Sequence, residues 1–326
     1  MRALLSRCYG APEVLTFDNV PRPTPADGDL LVKVHAAAVN PLDWHFARGT
    51  PYLMRLASGL TRPKDARVGV DFAGVVEAVG AGVAQFKPGD AVFGSQNGAL
   101  AEYLTVAESR AVALKPANIS FVQAAAVPVA AITALQALRD TGRVRPGQRV
   151  LINGASGGVG TFAVQIAKTF GAEVTAVSSG RNTALVRSLG ADHTVDYTRE
   201  DFTESSTRYD VIVDNVGNRG LTDLRRVLTP AGVCVLIGGG GPEANPWVGP
   251  FVLPLKALLY SPMVSQTITM MLARETQADL QVLSELMRAG TVTPVIDRTY
   301  PFDQAIEALR YLEQGRARGK VVVTMP

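Results

Sequence analysis

The sequence predicts a two-domain α/β protein, with a β-rich first part followed by a doubly wound parallel sheet. Residues 1–120 contain short apolar runs separated by Gly and Pro, which is typical of a barrel-like β domain. From about residue 121 onward, apolar strands alternate with helical patterns, which indicates a parallel sheet with helices on both faces. A glycine-rich turn joins one of these strands to its helix. The length of 326 residues is sufficient for two domains with separate cores.

The first part is predicted to contain short strands and one irregular segment. Residues 49–68 interrupt the strand pattern and predict a helical or mobile loop. The predicted strands are Leu30–Ala36, Asp71–Val79, Ala91–Phe93 and Ala101–Val106.

The second part begins with an Ala-rich helix, Phe121–Leu138, which we expect to bend at Pro128. Five strands with helices between them follow. They are Arg149–Ile152, Glu173–Val177, His193–Asp196, Val211–Asp214 and Val233–Ile237. Beyond them the pattern predicts helices at about 276–289 and 302–314, then a last strand, Lys320–Thr324.

The glycine-rich turn predicts a dinucleotide site. It follows the strand Val150–Ile152, precedes an apolar helical face and is followed by a second strand, so it forms part of a βαβ unit. Gly157, Gly158, Val159 and Gly160 would then hold the pyrophosphate at the helix N-terminus. Because the spacing is GASGGVG rather than a strict GxGxxG, a tight loop in another α/β protein stays an alternative.

The end of the second strand favours NADPH over NADH. A site for NADH usually carries an acid there to bind the ribose 2′-hydroxyl. This chain instead has Ser178, Ser179 and Arg181, which suit a 2′-phosphate, and Tyr197 could add a phenolic donor. The alternative is that Arg181 is only a solvated residue.

Two further groups follow later strands, at the sheet edge where such folds bind ligands. They are Asn215, Val216 and Gly217 after the fourth strand, and Gly238 and Gly239 after the fifth.

Composition indicates an ordinary globular protein. Hydrophobic residues make up 47% of the chain, charged residues 19%, and the net charge is +3. We therefore expect no nucleic-acid partner and no membrane span. The two cysteines, Cys8 and Cys234, form no disulfide framework or metal motif, and both are expected to be buried packing residues. With no signal-peptide pattern at the N-terminus, a cytoplasmic location is expected.

Several motifs together resemble the medium-chain dehydrogenase/reductase superfamily. They are AAAVNPLDWHFARG (36–49), GVDFAGVVEAVG (69–80), KPGDAVFG (87–94), NGASGGVG (153–160), KTFGAEVTAV (168–177) and GKVVV (319–323). The resemblance implies a GroES-like β-barrel catalytic domain, a Rossmann domain and an active site in the cleft between them. The expected domains are residues 1–122 with 263–326, and residues 123–262.

Departures from the zinc enzymes of this superfamily indicate the branch. Asn40 and Val70 stand where those enzymes carry Cys and His ligands, and the four-Cys lobe is missing. A catalytic zinc needs three such protein ligands. The chain therefore resembles the zinc-free, zeta-crystallin-like quinone oxidoreductases, a branch that also includes enone reductases. No metal is expected.

The resemblance also assigns roles to single residues. It implies that Asn40 lies near the nicotinamide and that Thr133 and Lys320 contact the cofactor. The alternatives are a turn residue before Pro41 for Asn40, a helix-interior hydroxyl for Thr133 and a surface lysine for Lys320. Asp43 and His45 are candidates for proton delivery to a reduced product. Tyr52, Trp247 and Phe251 could line a substrate pocket.

The resulting hypothesis is an NADPH-dependent quinone reductase. The alternatives are an alkenal or enone reductase and a non-catalytic NADPH-binding protein. A homodimer is expected through the edge strand Gly232–Ile237 of the Rossmann sheet, because an uncovered apolar edge favours aggregation.

Overall fold

The computed structural model describes residues 1–238, 247, 249 and 265–326. The chain divides into two compact units, Met1–Ile132 with Arg274–Pro326, and Thr133–Ala273. The domain boundaries expected from the sequence lie after residues 122 and 262, somewhat before the boundaries of these two units. They stay a prediction.

The first unit is built mainly on antiparallel strands, and one pair, Ile296–Pro301 with Lys320–Thr324, is parallel. Strands β1 and β2 form a two-stranded sheet, and β3 to β7 with β14 and β15 form a seven-stranded sheet. In the larger sheet the order is β14-β15-β3-β4-β5-β7, and β6 pairs with β3. The strands are β1 (Arg2–Ser6), β2 (Leu15–Asn19), β3 (Asp29–Val39), β4 (Asp71–Val79), β5 (Ala91–Ser95), β6 (Tyr103–Ala107), β7 (Val112–Leu114), β14 (Ile296–Pro301) and β15 (Lys320–Thr324).

Six helices begin in this unit. They are α1 (Pro41–Arg48), α2 (Arg55–Ser58), α3 (Phe121–Ala125), α4 (Pro128–Gln136), α8 (Gln277–Arg288) and α9 (Ala305–Glu313). The predicted single helix Phe121–Leu138 is therefore two helices. The break comes before Pro128, which lacks the N–H that a continuous helix would need there. A capping group marks the start of α8, where the Thr276 hydroxyl accepts a hydrogen bond from the N–H of Asp279 at 3.1 Å.

The second unit is a six-stranded parallel sheet with the order β10-β9-β8-β11-β12-β13. Numbered from its first strand, this is the order 3-2-1-4-5-6 of a Rossmann fold, whose switch point lies between β8 and β11. The predicted doubly wound sheet is confirmed. Its elements are β8 (Arg149–Asn153), α5 (Gly158–Thr169), β9 (Glu173–Ser178), α6 (Thr183–Ser188), β10 (His193–Asp196), β11 (Tyr209–Asp214), α7 (Leu221–Arg226), β12 (Leu228–Leu236) and β13 (Thr267–Met270).

One expectation about the sheet edge is wrong. Strand β12, which contains most of the segment Gly232–Ile237, pairs with β11 on one side and with β13 on the other. Its backbone groups are therefore satisfied within the chain. The outermost strand on this side of the sheet, among the described residues, is β13, a four-residue strand whose sequence TITM is too short to predict from its pattern.

Each unit has its own apolar core. In the first, Phe72, Leu104 and Phe302 pack together, and in the second, Leu151 and Ile212 belong to one cluster with Cys234. Cys234 is thus a buried packing residue, whereas Cys8, in the turn after β1, is exposed, contrary to expectation. No helix among the described residues is long and apolar enough to cross a membrane.

Candidate functional site

Asn40 lies at the junction between β3 and α1. Strand β3 ends at Val39, and Asn40 has extended backbone angles and occupies the N-cap position of α1, with Pro41 as the first helical residue. The Asp43 carboxylate accepts a hydrogen bond from the N–H of Asn40 at 2.7 Å. This contact fixes the turn and leaves the Asn40 amide to be held by other strands.

Two neighbouring strands bring Asp71 and Lys320 to Asn40. Asp71 is the first residue of β4 and pairs with Ala38 of β3. Lys320 is the first residue of β15, and the next residue, Val321, pairs with Val39 of β3. Because β4 and β15 flank β3, both side chains reach the end of β3 from opposite sides.

The resulting contacts join these side chains directly. Asn40 Nδ2 donates to Asp71 Oδ2 at 2.9 Å, and Lys320 Nζ donates to Asn40 Oδ1. Lys320 Nζ also lies 3.4 Å from Asp71 Oδ2, while the N–H of Val129 donates to Asp71 Oδ1 at 3.0 Å. We refer to Asn40, Asp43, Asp71 and Lys320 as the buried polar cluster, since each is at most 3% exposed.

Burial sets the protonation of this cluster. It raises the pKa of Asp43 from 3.8 to about 7, and the charge of Asp71 acts in the same direction. The N–H of Asn40 and the Lys320 ammonium oppose the rise. Burial also raises the pKa of Asp71, against the charge of Lys320 and the hydrogen bonds from Asn40 and Val129. Asp43 therefore changes its protonation close to neutral pH.

Asp43 also lines a cavity of about 500 Å³ within the first unit. Val70, the neighbour of Asp71 in sequence, also lines this cavity. The lining mixes apolar and polar side chains, which suits a small molecule with a hydrophobic body and a few polar atoms. Further lining residues are Tyr9, Phe46, Ala47, Ser58, Asp65, Arg67, Ser95, Asn97 and Arg110.

His45 has other partners than this cluster. Its Nδ1 lies 2.8 Å from the carbonyl oxygen of Thr50, and its ring stacks on Trp44 with a centroid distance of 3.7 Å. Burial lowers the pKa of His45. Of the three residues named for a pocket, Tyr52 and Trp247 are exposed, and Phe251 lies outside the described residues. Thr133 is a buried residue of α4.

The glycine-rich turn of the second unit joins β8 to α5. Gly154 has a φ of 76°, which a residue with a side chain rarely adopts. A Cβ at Gly160 would overlap the carbonyl oxygen of Gly154, so only glycine allows the turn to pack on the helix. Gly157 is the N-cap residue, and the N–H groups of Gly158, Val159 and Gly160 open the helix without partners inside it. Such N–H groups can donate hydrogen bonds to a phosphate.

A polar network supports the neighbouring turn at the switch point. Asp214 Oδ1 accepts hydrogen bonds from Asn153 Nδ2 at 2.8 Å, from the N–H of Val216 at 3.0 Å and from that of Gly217 at 2.9 Å. Asn215 Nδ2 donates to the carbonyl oxygen of Asn153 at 2.9 Å.

Asn215 Oδ1 is buried and has no hydrogen-bond partner among the described residues, so it can accept a hydrogen bond from a further donor. A Cβ at Gly238 would overlap the carbonyl oxygen of Asn215, so these two edge turns are in close contact. Gly239 lies outside the described residues.

The residues expected at the 2′-phosphate lie at the paired ends of β9 and β10. Ser178 is buried at the end of the strand, while Arg181 and Tyr197 are exposed. Asn182 Nδ2 donates to Ser179 Oγ at 3.2 Å and to Ser156 Oγ at 2.9 Å, which ties this turn to the glycine-rich turn.

Sequence reasoning missed two acids. Asp71 opens the predicted strand Asp71–Val79, but its proximity to Asn40 depends on strand pairing. Asp196 closes the third predicted strand and pairs in register with Ser178. The signal available for both was their position at a strand end.

The comparisons with known proteins agree with this architecture. The family profile described as alcohol dehydrogenase GroES-like domain matches residues 26–116, and the profile described as zinc-binding dehydrogenase matches residues 189–323. The chain belongs to the medium-chain dehydrogenase/reductase superfamily. Within it, the chain is an NAD(P)H-dependent oxidoreductase of the quinone/alkenal reductase type.

Three similar proteins span nearly the whole chain. A 2-methylene-furan-3-one reductase from Solanum lycopersicum is 36% identical, over 99% of this chain and 79% of that protein. An NADPH-dependent alkenal/one oxidoreductase of Arabidopsis thaliana, named as chloroplastic, is 34% identical over 99% of this chain and 79% of its own length. The solved quinone oxidoreductase from Coxiella burnetii is 29% identical, with a TM-score of 0.86 over 100% of this chain and 99% of that one.

One profile carries zinc in its name. Within the described residues, no group of three or more His, Cys, Asp and Glu side chains could hold a metal ion. Zinc independence itself stays a prediction.

Proposed function

We propose that the chain reduces quinones with NADPH. The observation that carries this proposal is the buried polar cluster, whose member Asp43 lines a cavity of about 500 Å³. An acid with a pKa of about 7 beside a cavity of mixed polarity can deliver a proton to a reduced carbonyl compound at neutral pH. The solved quinone oxidoreductase of Coxiella burnetii, 29% identical, supports the substrate class.

The proposed reaction needs a hydride and a proton. When bound, NADPH supplies the hydride from its nicotinamide. The quinone then carries a negative oxygen, and the Asp43 carboxylic acid gives its proton to that oxygen. The Asp43 carboxylate that remains recovers a proton from water. No metal is needed, because a quinone is already a strong electrophile.

The other members of the cluster position Asp43. The Asn40 N–H donates to the Asp43 carboxylate, and the Asn40 side chain is itself held between Lys320 and Asp71. These contacts limit the orientations of the acid, which is the main protein contribution to such a reaction.

We further propose that the second unit binds NADPH through the residues described above. The N–H groups of Gly158 and Val159 would hold the pyrophosphate, and the guanidinium of Arg181 would hold the 2′-phosphate. Tyr197, Ser178 and Ser179 would complete the 2′ side. Thr133, Asn215, Val216, Gly217, Gly238 and Gly239 are proposed as further cofactor contacts of this unit. Lys320 belongs to the first unit, and its cofactor contact stays a proposal that rests on the family resemblance.

The second candidate is the reduction of alkenals and enones. The two relatives described above support it, since one is named a 2-methylene-furan-3-one reductase and the other an alkenal/one oxidoreductase. In this reaction a hydride adds to the β-carbon and the Asp43 proton goes to the resulting enolate. The same acid therefore serves both substrate classes.

A substrate panel distinguishes the candidates. Oxidation of NADPH is followed by absorbance with 1,4-benzoquinone, a naphthoquinone, trans-2-hexenal and cyclohexenone, and the products are identified by mass spectrometry. Quinones should give the higher kcat/KM if the first proposal is correct, and alkenals or enones if the second is. Tight NADPH binding without turnover of any compound would contradict both.

We also propose a homodimer and a cytoplasmic location. Strand β13 is the outermost described strand on one side of the second unit's sheet, and a two-fold pairing there would extend the sheet. Light scattering at micromolar concentration should give the mass of two chains. The mass of one chain would contradict the dimer.

A further inference from the structure

The end of β10 places an acid against the turn that is proposed to hold the 2′-phosphate. Asp196, the last residue of β10, lies in register with Ser178, the last residue of β9. The N–H of Tyr197 donates to the carbonyl oxygen of Ser178 at 3.2 Å, so the two strand ends stay paired. A Cβ at Gly180 would overlap Asp196 Oδ2. The carboxylate therefore packs directly on the turn between Ser178 and Arg181.

The local donors keep this carboxylate ionised. Asp196 Oδ1 accepts hydrogen bonds from the hydroxyl of Thr198 at 2.7 Å and from its N–H at 3.0 Å. These bonds, with smaller contributions from the N–H of Gly180 and the charge of Arg199, hold the pKa of Asp196 below its usual value. A full negative charge thus lies beside the turn at neutral pH.

The position of this charge bears on cofactor choice. In Rossmann folds an acid at the end of the second strand accepts a hydrogen bond from the ribose 2′-hydroxyl and repels a 2′-phosphate. Here the second strand carries no acid, but the third strand supplies one to the same turn. The favourable charge of Arg181 and the unfavourable charge of Asp196 therefore act on one site.

We propose that Asp196 is a cofactor-specificity residue, whose carboxylate weakens the preference for NADPH that Arg181 provides and so allows NADH to bind as well. The inference rests on the proposed function, because it requires the dinucleotide to bind at this edge. It adds that the chain is a dual-cofactor enzyme whose selectivity is set by two opposite charges.

The test compares the dissociation constants of NADPH and NADH, measured by the fluorescence of the reduced nicotinamide with the full chain. Asp196→Asn removes the negative charge and keeps the size of the side chain, whereas Asp196→Glu keeps the charge. Glu173→Gln is the matched control, because it removes one charge at the start of β9, about 16 Å from Ser178 along the strand. Asp196→Ser replaces D196N if circular dichroism shows that D196N is unfolded.

The expected result is a rise of about threefold to fivefold in the ratio Kd(NADH)/Kd(NADPH) for D196N, the size typical of partly exposed charges. The rise should shrink in 1 M salt, where screening is strong. D196E and E173Q should keep the wild-type ratio. An unchanged ratio in D196N, or the same rise in E173Q, overturns the inference but leaves the proposed function intact. A wild-type chain that binds neither cofactor overturns both.

Discussion

Replacing Asp43 with asparagine tests the central acid of the proposed reaction. The rise of the Asp43 pKa from 3.8 to about 7 corresponds to a cost of about 4 kcal/mol for ionising this carboxyl in the folded chain. Burial of the carboxyl away from water is the main cause of this cost. Asparagine has nearly the same shape, and its oxygen can still accept the N–H of Asn40.

The sign of the stability effect follows from proton binding. Between pH 3.8 and about 7 the unfolded chain has lost the Asp43 proton and the folded chain keeps it. The folded state then binds more protons, so the contribution of Asp43 to the free energy of unfolding falls as the pH rises through this window. Relative to the wild type, D43N should therefore gain stability from pH 4 to pH 8, by up to about 4 kcal/mol. Urea unfolding at several pH values measures this gain.

The same substitution should lower the activity, although it raises the stability. Protonated Asp43 is the proposed donor, so wild-type kcat should fall as the pH rises above about 7. D43N should lose this falling limb of the pH profile of kcat. Its kcat at pH 6 should be lower by about 10²-fold, the usual contribution of a positioned acid. His45 does not produce the limb, because burial lowers its pKa.

Asp65 provides the matched control, since it lines the same cavity. Partial burial raises the pKa of Asp65, but Arg67 outweighs this and holds it below its usual value. Asp65→Asn should therefore keep the limb near pH 7. If D43N also keeps that limb, or if its kcat equals that of the wild type, Asp43 is not the proton donor.

Three further predictions concern the cofactor, the metal and the cluster. Arg181→Ala should weaken NADPH binding by about 1.5–3 kcal/mol, the value of a charge-assisted hydrogen bond, and leave NADH unchanged; equal effects on both cofactors would exclude Arg181 from the 2′ side. Metal analysis of active protein should find no stoichiometric zinc, and a chelator should not reduce turnover; zinc at one per chain with chelator-sensitive activity would contradict the branch expectation. Lys320→Met should lower the free energy of unfolding by about 3–5 kcal/mol, because it leaves Asp71 as a buried charge without its cation. Asp71→Asn should restore much of that loss in the double variant, and its failure to do so would show that the pair is not coupled.

Local sequence patterns were sufficient for the fold class and for the position of the glycine-rich turn. The glycine-rich turn depends on contacts within a few residues, such as that of Gly160 with Gly154, and on the alternation of strand and helix. These features are encoded in neighbouring residues, so they could be read directly. The bend near Pro128 was also predicted, although its result is a break between two helices.

Pairing between distant segments could not be predicted in the same way. Lys320 and Asn40 are 280 residues apart in sequence and meet because β15 pairs with β3. Asp196 meets Gly180 through the pairing of β10 with β9. The edge of the sheet was misassigned for the same reason, since the short strand β13 is recognisable only as a neighbour of β12.

Strand register therefore determines the chemistry of the buried polar cluster. In β15 the side chains alternate between the two faces of the sheet, so a shift of one residue against β3 would turn Lys320 to the other face. Asp71 would then keep its bond to Asn40 but lose its cation, and the opposing effect of Lys320 on the pKa of Asp43 would be lost as well. Both acids would be harder to ionise. The apolar residues that follow Lys320 in β15, among them Val321 and Val323, are fully buried and fix this register, so the packing of the core also sets the protonation of the site.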